Sequence, residues 1–347
     1  MTVHIKADWP LEKLLQESAS GNTSAFPDAG INYFNRYVEI KQKVADKYYQ
    51  ATGTGLGAGG HRFTKHDIGH VDDVIRTAGH FIGVGQAEQS RFNRLEPFEI
   101  FVLLYAILLH DAGNAYGREK HEARPFGIMK DLGALCPLDS AQKLLVASIA
   151  QAHGGKAADN TKDTIPAAVK LEVSAIENLN VHGRRLAAVL RMADELSENT
   201  RRADEIALED PKHPSYLPNF YCKTIGTNIH AQSGTITLTY TLFKEHLMQK
   251  HGDPENNNKQ TYIIDYIKKR ILKCDQERRY CNRFLHAFAY MPFLRANIDI
   301  FDDHTMIEQI PVDLSDAGYP DVDRTISEKI SRLNGNNLKR RFSSIAA

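Results

Sequence analysis

The sequence predicts a mostly α fold, a helical bundle core followed by a smaller α+β subdomain toward the C-terminal end. Three observations lead there. Apolar residues recur at helical intervals, or in helix-length runs, through much of residues 31 to 205. Strict alternation replaces that pattern in TNIHAQSGTITLTYTLF (227 to 243), where Ile236, Leu238, Tyr240 and Leu242 follow a Ser233-Gly234 turn; FLRANIDIF (293 to 301) reads as a further strand. At 42% hydrophobic and 25% charged over 347 residues, the chain is long and apolar enough for a sizeable core.

In chain order, INYFNRYVEIKQKVADKYYQ (31 to 50) places Phe34, Tyr37, Val38, Val44 and Tyr48 on one side of an amphipathic helix, which should cover the core helices that follow. The segment TGTGLGAGG (52 to 60) has glycines at dinucleotide-fold spacing, but no strand precedes it and no βαβ unit surrounds it; it reads as a loop suited to act as a lid. From 65 to 205 the chain is expected to be entirely helical, with loops at 83 to 97, 113 to 118, 133 to 139 and 154 to 166. The run Phe98 to Leu109 is apolar enough for a buried helix, a helix over 139 to 153 delivers His153 at its end, and one over 182 to 204 delivers Asp194 from its middle. Beyond Ala207, EDPKHPSYLPNF reads as a linker or edge, HGDPENNNKQ as a polar loop before a helix of 259 to 287, and NGNNLKRRFSSIAA as a frayed, solvated end. The expected division is an N-terminal helical cover with its Gly-rich loop (1–60), the helical core (61–205) and an α+β extension (206–347).

Charge narrows the partners. Lys+Arg and Asp+Glu both count 43, so no global field favours DNA, RNA or an anionic membrane, and a small molecule is expected over a nucleic-acid polymer. The run Phe98 to Leu109 falls short of the roughly 20 residues needed to span a bilayer, and MTVHIKADWP has no signal-peptide core, so a cytoplasmic protein is expected. Cys136, Cys222, Cys274 and Cys281 form no CxxC pair and should be reduced thiols, with Cys274 and Cys281 on one helical stripe.

The chemistry is expected from an ordered series of His and Asp: His66, His70, His110, Asp111, His121, His153 and Asp194. His110-Asp111 closes the most apolar run of the chain, where buried ionisable groups are costly unless paired or bound to metal. Imidazole with carboxylate suits a divalent Mn, Fe, Co, Ni or Zn ion. Taken singly, His121 or His153 would be an ordinary surface or capping histidine, and Asp194 a salt-bridge partner for Arg191 or Arg201. Delivered together from separate helices around one apolar core, they read as the ligand set of a helix-bundle metal site.

Four stretches, KHDIGHVDDVI (65 to 75), LYAILLHDAGN (104 to 114), VASIAQAHGG (146 to 155) and AAVLRMADELSENTRRAD (187 to 204), resemble in this order the motifs of the HD superfamily of metal-dependent phosphohydrolases. The resemblance implies an HD-type helical core with His70, His110, Asp111 and Asp194 as ligands, and His121 and His153 holding a second ion that Asp111 bridges to the first. His66-Asp67 is a second His-Asp pair, but no apolar helix precedes it; the segment is similar instead to the HNxxHAxDV pattern of cyclic-nucleotide phosphodiesterases. His66, one turn before His70 on the same helix, is then the proton donor or a phosphate contact. Lys65, Arg118, Lys120, Arg201 and Arg202 flank the motifs as candidate phosphate clamps. The implied activity is metal-dependent hydrolysis of a phosphoester in a nucleotide or nucleotide-derived signal, with His66 and Asp111 catalytic. RFTKHDIGHV with LRMADELSENTRRAD also looks like HD domains of bacterial antiviral defence systems, in which such a signal is made or cleared. Two other readings share these ligands: a di-iron oxygenase, and a nucleotide-sensing or adaptor module with a structural metal, whose partner or second copy would dock through residues 206–347.

Overall fold

The computed structural model of the chain describes residues 8–21, 23–50, 64–84, 95–286, 288–316 and 333–343. The chain forms two compact units. The first is Met1–Gly60 with His66–Ser197 and Arg283–Ala289; the second is His61–Lys65 with Glu198–Asn282 and Tyr290–Ala347. The helical cover expected over 1–60 thus shares a unit with the helices that carry the histidines, and the Gly-rich segment 52–60 lies outside the described residues.

The first unit is helical. In order it contains α1 (Pro10–Gly21), α2 (Tyr33–Val44), α3 (Ile68–Phe81), α4 (Pro97–Leu109), α5 (Pro125–Leu132), α6 (Ser140–Gln151), α7 (Thr164–Ala168) and α8 (Gly183–Glu195). Helix α4 is the axis of the unit, because α1, α2, α3, α6 and α8 all pack against it. Its residues Phe98 to Leu109 are all buried, as a helix apolar on every side requires. By length and composition Pro97–Tyr116 could cross a membrane, but 89% of its most apolar window is buried within the protein, which is how a core helix reads.

Both ends of α4 are fixed by specific contacts. Pro97 begins the helix, and Glu96 and Glu99 form a capping box. Buried Glu99 also accepts from the backbone N–H of His182 at 2.8 Å and lies 2.9 Å from its Nδ1, tying the start of α4 to the start of α8. At the far end the Tyr49 hydroxyl donates to the Leu108 carbonyl at 3.0 Å, satisfying one of the carbonyls that a helix end leaves open.

The expectation that residues 65–205 are entirely helical between their loops requires two corrections. A short hairpin, β1 (Ser174–Ile176) with β2 (Leu179–Val181), interrupts it; Glu177 takes the left-handed conformation at φ 53°, a turn made without the Gly or Asn-Gly pair that marks such turns in a sequence. Helix α8 stops at Glu195 rather than 204. There the Ser197 hydroxyl donates to the Ala193 carbonyl (2.7 Å) and accepts from the Thr77 hydroxyl (3.0 Å), and Asn199 starts a separate turn over Thr200–Arg202.

In the second unit come α9 (Glu205–Glu209), α10 (Tyr216–Thr224), β3 (Ile225–His230), β4 (Thr235–Phe243), β5 (Lys250–Asp253), β6 (Lys259–Tyr262), α11 (Ile263–Leu285), β7 (Phe293–Asp302), β8 (Thr305–Ser315) and α12 (Gly335–Ser343). Strands β3-β4-β7-β8 form one mixed sheet in that order, β4 and β7 running parallel. One face buries Ile236, Leu238, Tyr240 and Leu242 beside Leu294, Ala296, Ile298 and Ile300, the period-2 pattern of a half-buried sheet.

Three segments expected to be irregular are ordered. LPNF lies in α10, where Pro218 falls in the first turn and its missing N–H has no helical partner to lose. Within HGDPENNNKQ, Asn257 and Asn258 at φ 51° and 56° turn β5 into β6, so the long helix starts at Ile263. The tail forms α12, held by buried Leu338 and Phe342, by Gly335 N–H donating to Asp265 (3.0 Å) and by Arg341 paired with Glu308 (2.6 Å). All four cysteines are buried free thiols.

Leu104, fully buried at the middle of α4, measures how far the first unit depends on this axis. Leu104→Ala should cost about 2–5 kcal/mol in denaturant unfolding while keeping native helical circular dichroism. A midpoint shift of the size produced by surface substitutions would contradict the central placement of α4.

Candidate metal centre

The first unit brings His66, His70, His110, Asp111, His121, His153 and Asp194 to one place. His70 stands in the first turn of α3. The Asp67 side chain caps that helix by accepting from the His70 N–H at 3.1 Å, and Gly69 leaves it room, since a Cβ there would lie 3.0 Å from Asp67 Oδ1. The string HDIGH is therefore a helix start, and His66 lies before the cap rather than one turn earlier on the same helix. It still reaches the cluster, its Nε2 lying 3.9 Å from Asp111 Oδ2. His110 is the C-cap of α4, and Asp111 opens the 3-10 turn Ala112–Tyr116. His121 begins the 3-10 turn His121–Ala123, His153 follows the end of α6, and Asp194 sits in the last turn of α8.

The two oxygens of Asp111 face different partners. Oδ1 lies 3.2 Å from His121 Nε2 and 3.7 Å from His153 Nε2. Oδ2 lies 3.5 Å from His110 Nε2 and 3.8 Å from His70 Nε2. On that second side Asp194 Oδ1 stands 3.2 Å from His70 Nε2 and 3.9 Å from His110 Nε2. Two groups of three donors result, His70 with His110 and Asp194, and Asp111 with His121 and His153. Ligand bonds of roughly 2.0–2.2 Å to one ion separate neighbouring donors by about 3–3.5 Å, close to the shorter of these distances.

Backbone carbonyls three residues upstream orient three of the rings. Nδ1 of His110 donates to Ile107 O (2.7 Å), Nδ1 of His121 to Arg118 O (2.9 Å) and Nδ1 of His153 to Ala150 O (2.6 Å). A carbonyl only accepts, so in each neutral ring the proton belongs to Nδ1 and the Nε2 lone pair faces the cluster, which is the tautomer a metal needs. His110 Nε2 and both nitrogens of His70 are buried and make no hydrogen bond in the protein. Orphaned buried nitrogens are costly, and a divalent ion bound by His70 Nε2 and His110 Nε2 would satisfy those two. The residues present thus fit a metal, and the cluster can hold one.

Electrostatics favour the ligand forms of His110, Asp111 and Asp194. Burial pushes His110 down to about 4, so its ring is neutral near pH 7. Burial alone would raise Asp111, but His110, charged in the acid range where a carboxylate titrates, and then the contacts to His121 and His153 hold it well below the ordinary carboxylate range. Burial would likewise raise Asp194, and His70 and His110 hold it well below that range instead. For His153 burial acts downward, and the contact and charge of Asp111 outweigh it to raise the group. The His70 and His110 side chains are fully buried, whereas those of His66 and His121 are 16% exposed and that of Asp194 is 28% exposed, which puts the mouth of the site at the latter three.

The five cationic candidates are divided between the two units. Arg118 and Lys120 lie exposed on the turn before His121, in the first unit. Lys65, Arg201 and Arg202 belong to the second unit; Arg202 is buried, with its Nε on the Lys65 carbonyl (3.3 Å), a structural contact rather than a free phosphate donor. Arg191, weighed as a partner for Asp194, bonds Thr164 and the Lys162 carbonyl.

Sequence reasoning missed two things. The carbonyls of Ile107, Arg118 and Ala150 leave no side-chain signal, although a constant offset of three residues links each to its histidine. Glu122, whose Oε2 lies 3.4 Å from His121 Nδ1, was open to notice through adjacency alone.

No curated protein matches the chain. The family model HD-CE matches residues 60–271, more than half of the chain and a span containing all seven His and Asp residues of the cluster; the chain belongs to the HD-CE family.

Proposed function

We propose that this protein is a metal-dependent phosphohydrolase or phosphodiesterase that cuts a phosphoester in a small nucleotide or nucleotide-derived signal. The observation that carries this reading is the division of the Asp111 oxygens between two sets of donors, which suits a pair of divalent ions. His70, His110 and Asp194 would hold one ion and His121 and His153 the other, with Asp111 between them. When bound, such ions supply Lewis-acid polarisation of a phosphoryl group and acidify water for in-line attack.

The remaining work falls to the chain. Depressed Asp111 and Asp194 stay ionised, and the Nδ1–carbonyl bonds keep three rings aimed without reorganisation. His66 stands at the mouth on the Oδ2 side of Asp111, where it can give a proton to the leaving oxygen. Exposed Arg118 and Lys120 precede His121 and would meet a phosphate on this reading. A formal net charge of zero favours a small nucleotide over a polymer. The cytoplasm, and a second copy or partner docking on residues 206–347, belong to the same proposal.

Metal analysis of the purified protein, then incubation with dNTPs, cyclic mononucleotides and cyclic dinucleotides, tests the reading. Phosphate or nucleotide release that depends on added Mn or Co supports it. Oxygen uptake with a visible iron band, or tight metal with no turnover of any phosphoester, would replace it with an oxygenase or a binding module respectively.

Two sets of variants sharpen the test. Asp111→Ala should lose both metal and hydrolysis while keeping its helical spectrum, and His121→Ala and His153→Ala should each remove about one of two equivalents; wild-type metal content in Asp111→Ala would sink the assignment. His66→Ala should keep its metal and lose roughly 10²- to 10⁴-fold in kcat on substrates with poor leaving groups, and much less on a nitrophenyl ester, whose leaving group needs no proton. Equal losses on both would make His66 a phosphate contact instead.

A further inference from the structure

The two halves of the cluster are built differently. His70 lies within α3 and His110 at the end of α4, and both side chains are fully buried. His121 has no such support. It begins a three-residue 3-10 turn, entered through Lys120 in the left-handed conformation at φ 54°, and it is partly exposed. A ring held by so short a turn needs another constraint to keep its Nε2 on Asp111.

Glu122 supplies one. Its Oε2 lies 3.4 Å from His121 Nδ1, beside the 2.9 Å bond from that nitrogen to the Arg118 carbonyl. The same carboxylate fills the space over Gly155, two residues after His153; a Cβ on Gly155 would collide with Glu122 Oε1 and lie 2.9 Å from its Cδ. Gly155 is in the left-handed region at φ 69°, and its carbonyl accepts from Lys162 Nζ at 3.0 Å, fixing the turn against which the carboxylate rests. One side chain therefore joins the turn of His121 to the turn that follows His153. A carboxylate on the far nitrogen of a ligating histidine also makes the ring a better donor.

We infer that Glu122 is a positioning residue for the Asp111–His121–His153 half of the centre, setting the affinity of the second, exchangeable ion without touching it. This rests on the two-ion reading above. The consequence is stepwise loading: the half made by His70, His110 and Asp194 fills first, and the half braced by Glu122 fills second and more weakly.

Calorimetric titration of the metal-free full-length protein with Mn²⁺ tests this directly. The wild type should bind two equivalents in two resolved steps. In Glu122→Gln the second step should weaken about 10- to 100-fold and the first should not move, which also shows that the variant is folded. Gly155→Ala, which displaces the carboxylate while leaving it charged and strains the left-handed turn after His153, should weaken the same step. An unchanged second step in Glu122→Gln, or equal weakening of both steps, would overturn the role of Glu122 while leaving two ions in place. A single equivalent in the wild type would instead overturn the two-ion reading, and this inference with it.

Discussion

Asp111 is the constraint on which the rest of the first unit depends. Its carboxylate is buried at the end of the most apolar helix of the chain, with four histidines within 3.8 Å and a fifth, His66, at 3.9 Å. A carboxylate taken out of water in this way is strongly unfavourable unless it is paired with opposite charge, which a metal ion held by surrounding nitrogen donors would supply. The helices deliver those donors from α3, from α4 itself, from the end of α6 and from the 3-10 turn at His121, and α8 adds Asp194. Because α1, α2, α3, α6 and α8 all pack on α4, the apolar burial that stabilises the unit is also what fixes the polar cluster. Stability and site share one axis.

Secondary contacts turn that placement into a ligand geometry. Each Nδ1–carbonyl bond to Ile107, Arg118 or Ala150 selects a tautomer as well as a ring orientation, so three Nε2 atoms present lone pairs inward. The centre is asymmetric in depth, with His70 and His110 sealed inside and His66, His121 and Asp194 toward solvent. Under the proposed function, substrate access and ion exchange would use that open side.

The parts legible in the sequence were those written in long periodic or uniform runs. Phe98 to Leu109 could be little other than a buried helix, and a His-Asp pair closing it had to be paired or bound; the alternating Ile236, Leu238, Tyr240 and Leu242 likewise marked a strand. Short-range stereochemistry was less legible. Asp67 reads as half of a His-Asp pair, yet it caps α3, and that moves His66 off the helix. Glu177, Asn257 and Asn258 make turns through left-handed backbone that their residue types permit but do not announce. Arg202 looks like a phosphate clamp by charge, and burial against a backbone carbonyl assigns it to structure. Roles that depend on which atom faces which neighbour, as with the Asp111 oxygens, are set by tertiary packing and have no linear signature.

The central claim is that Asp111 lies between two ion sites. Crystals grown with Mn²⁺ and measured on both sides of the manganese absorption edge test it most directly, because anomalous peaks locate the ions independently of any activity. The account predicts two peaks about 3.5–4 Å apart, one among His70, His110 and Asp194 and one between His121 and His153, with one Asp111 oxygen on each. A single peak, or a pair in which both Asp111 oxygens serve the same ion, would contradict it.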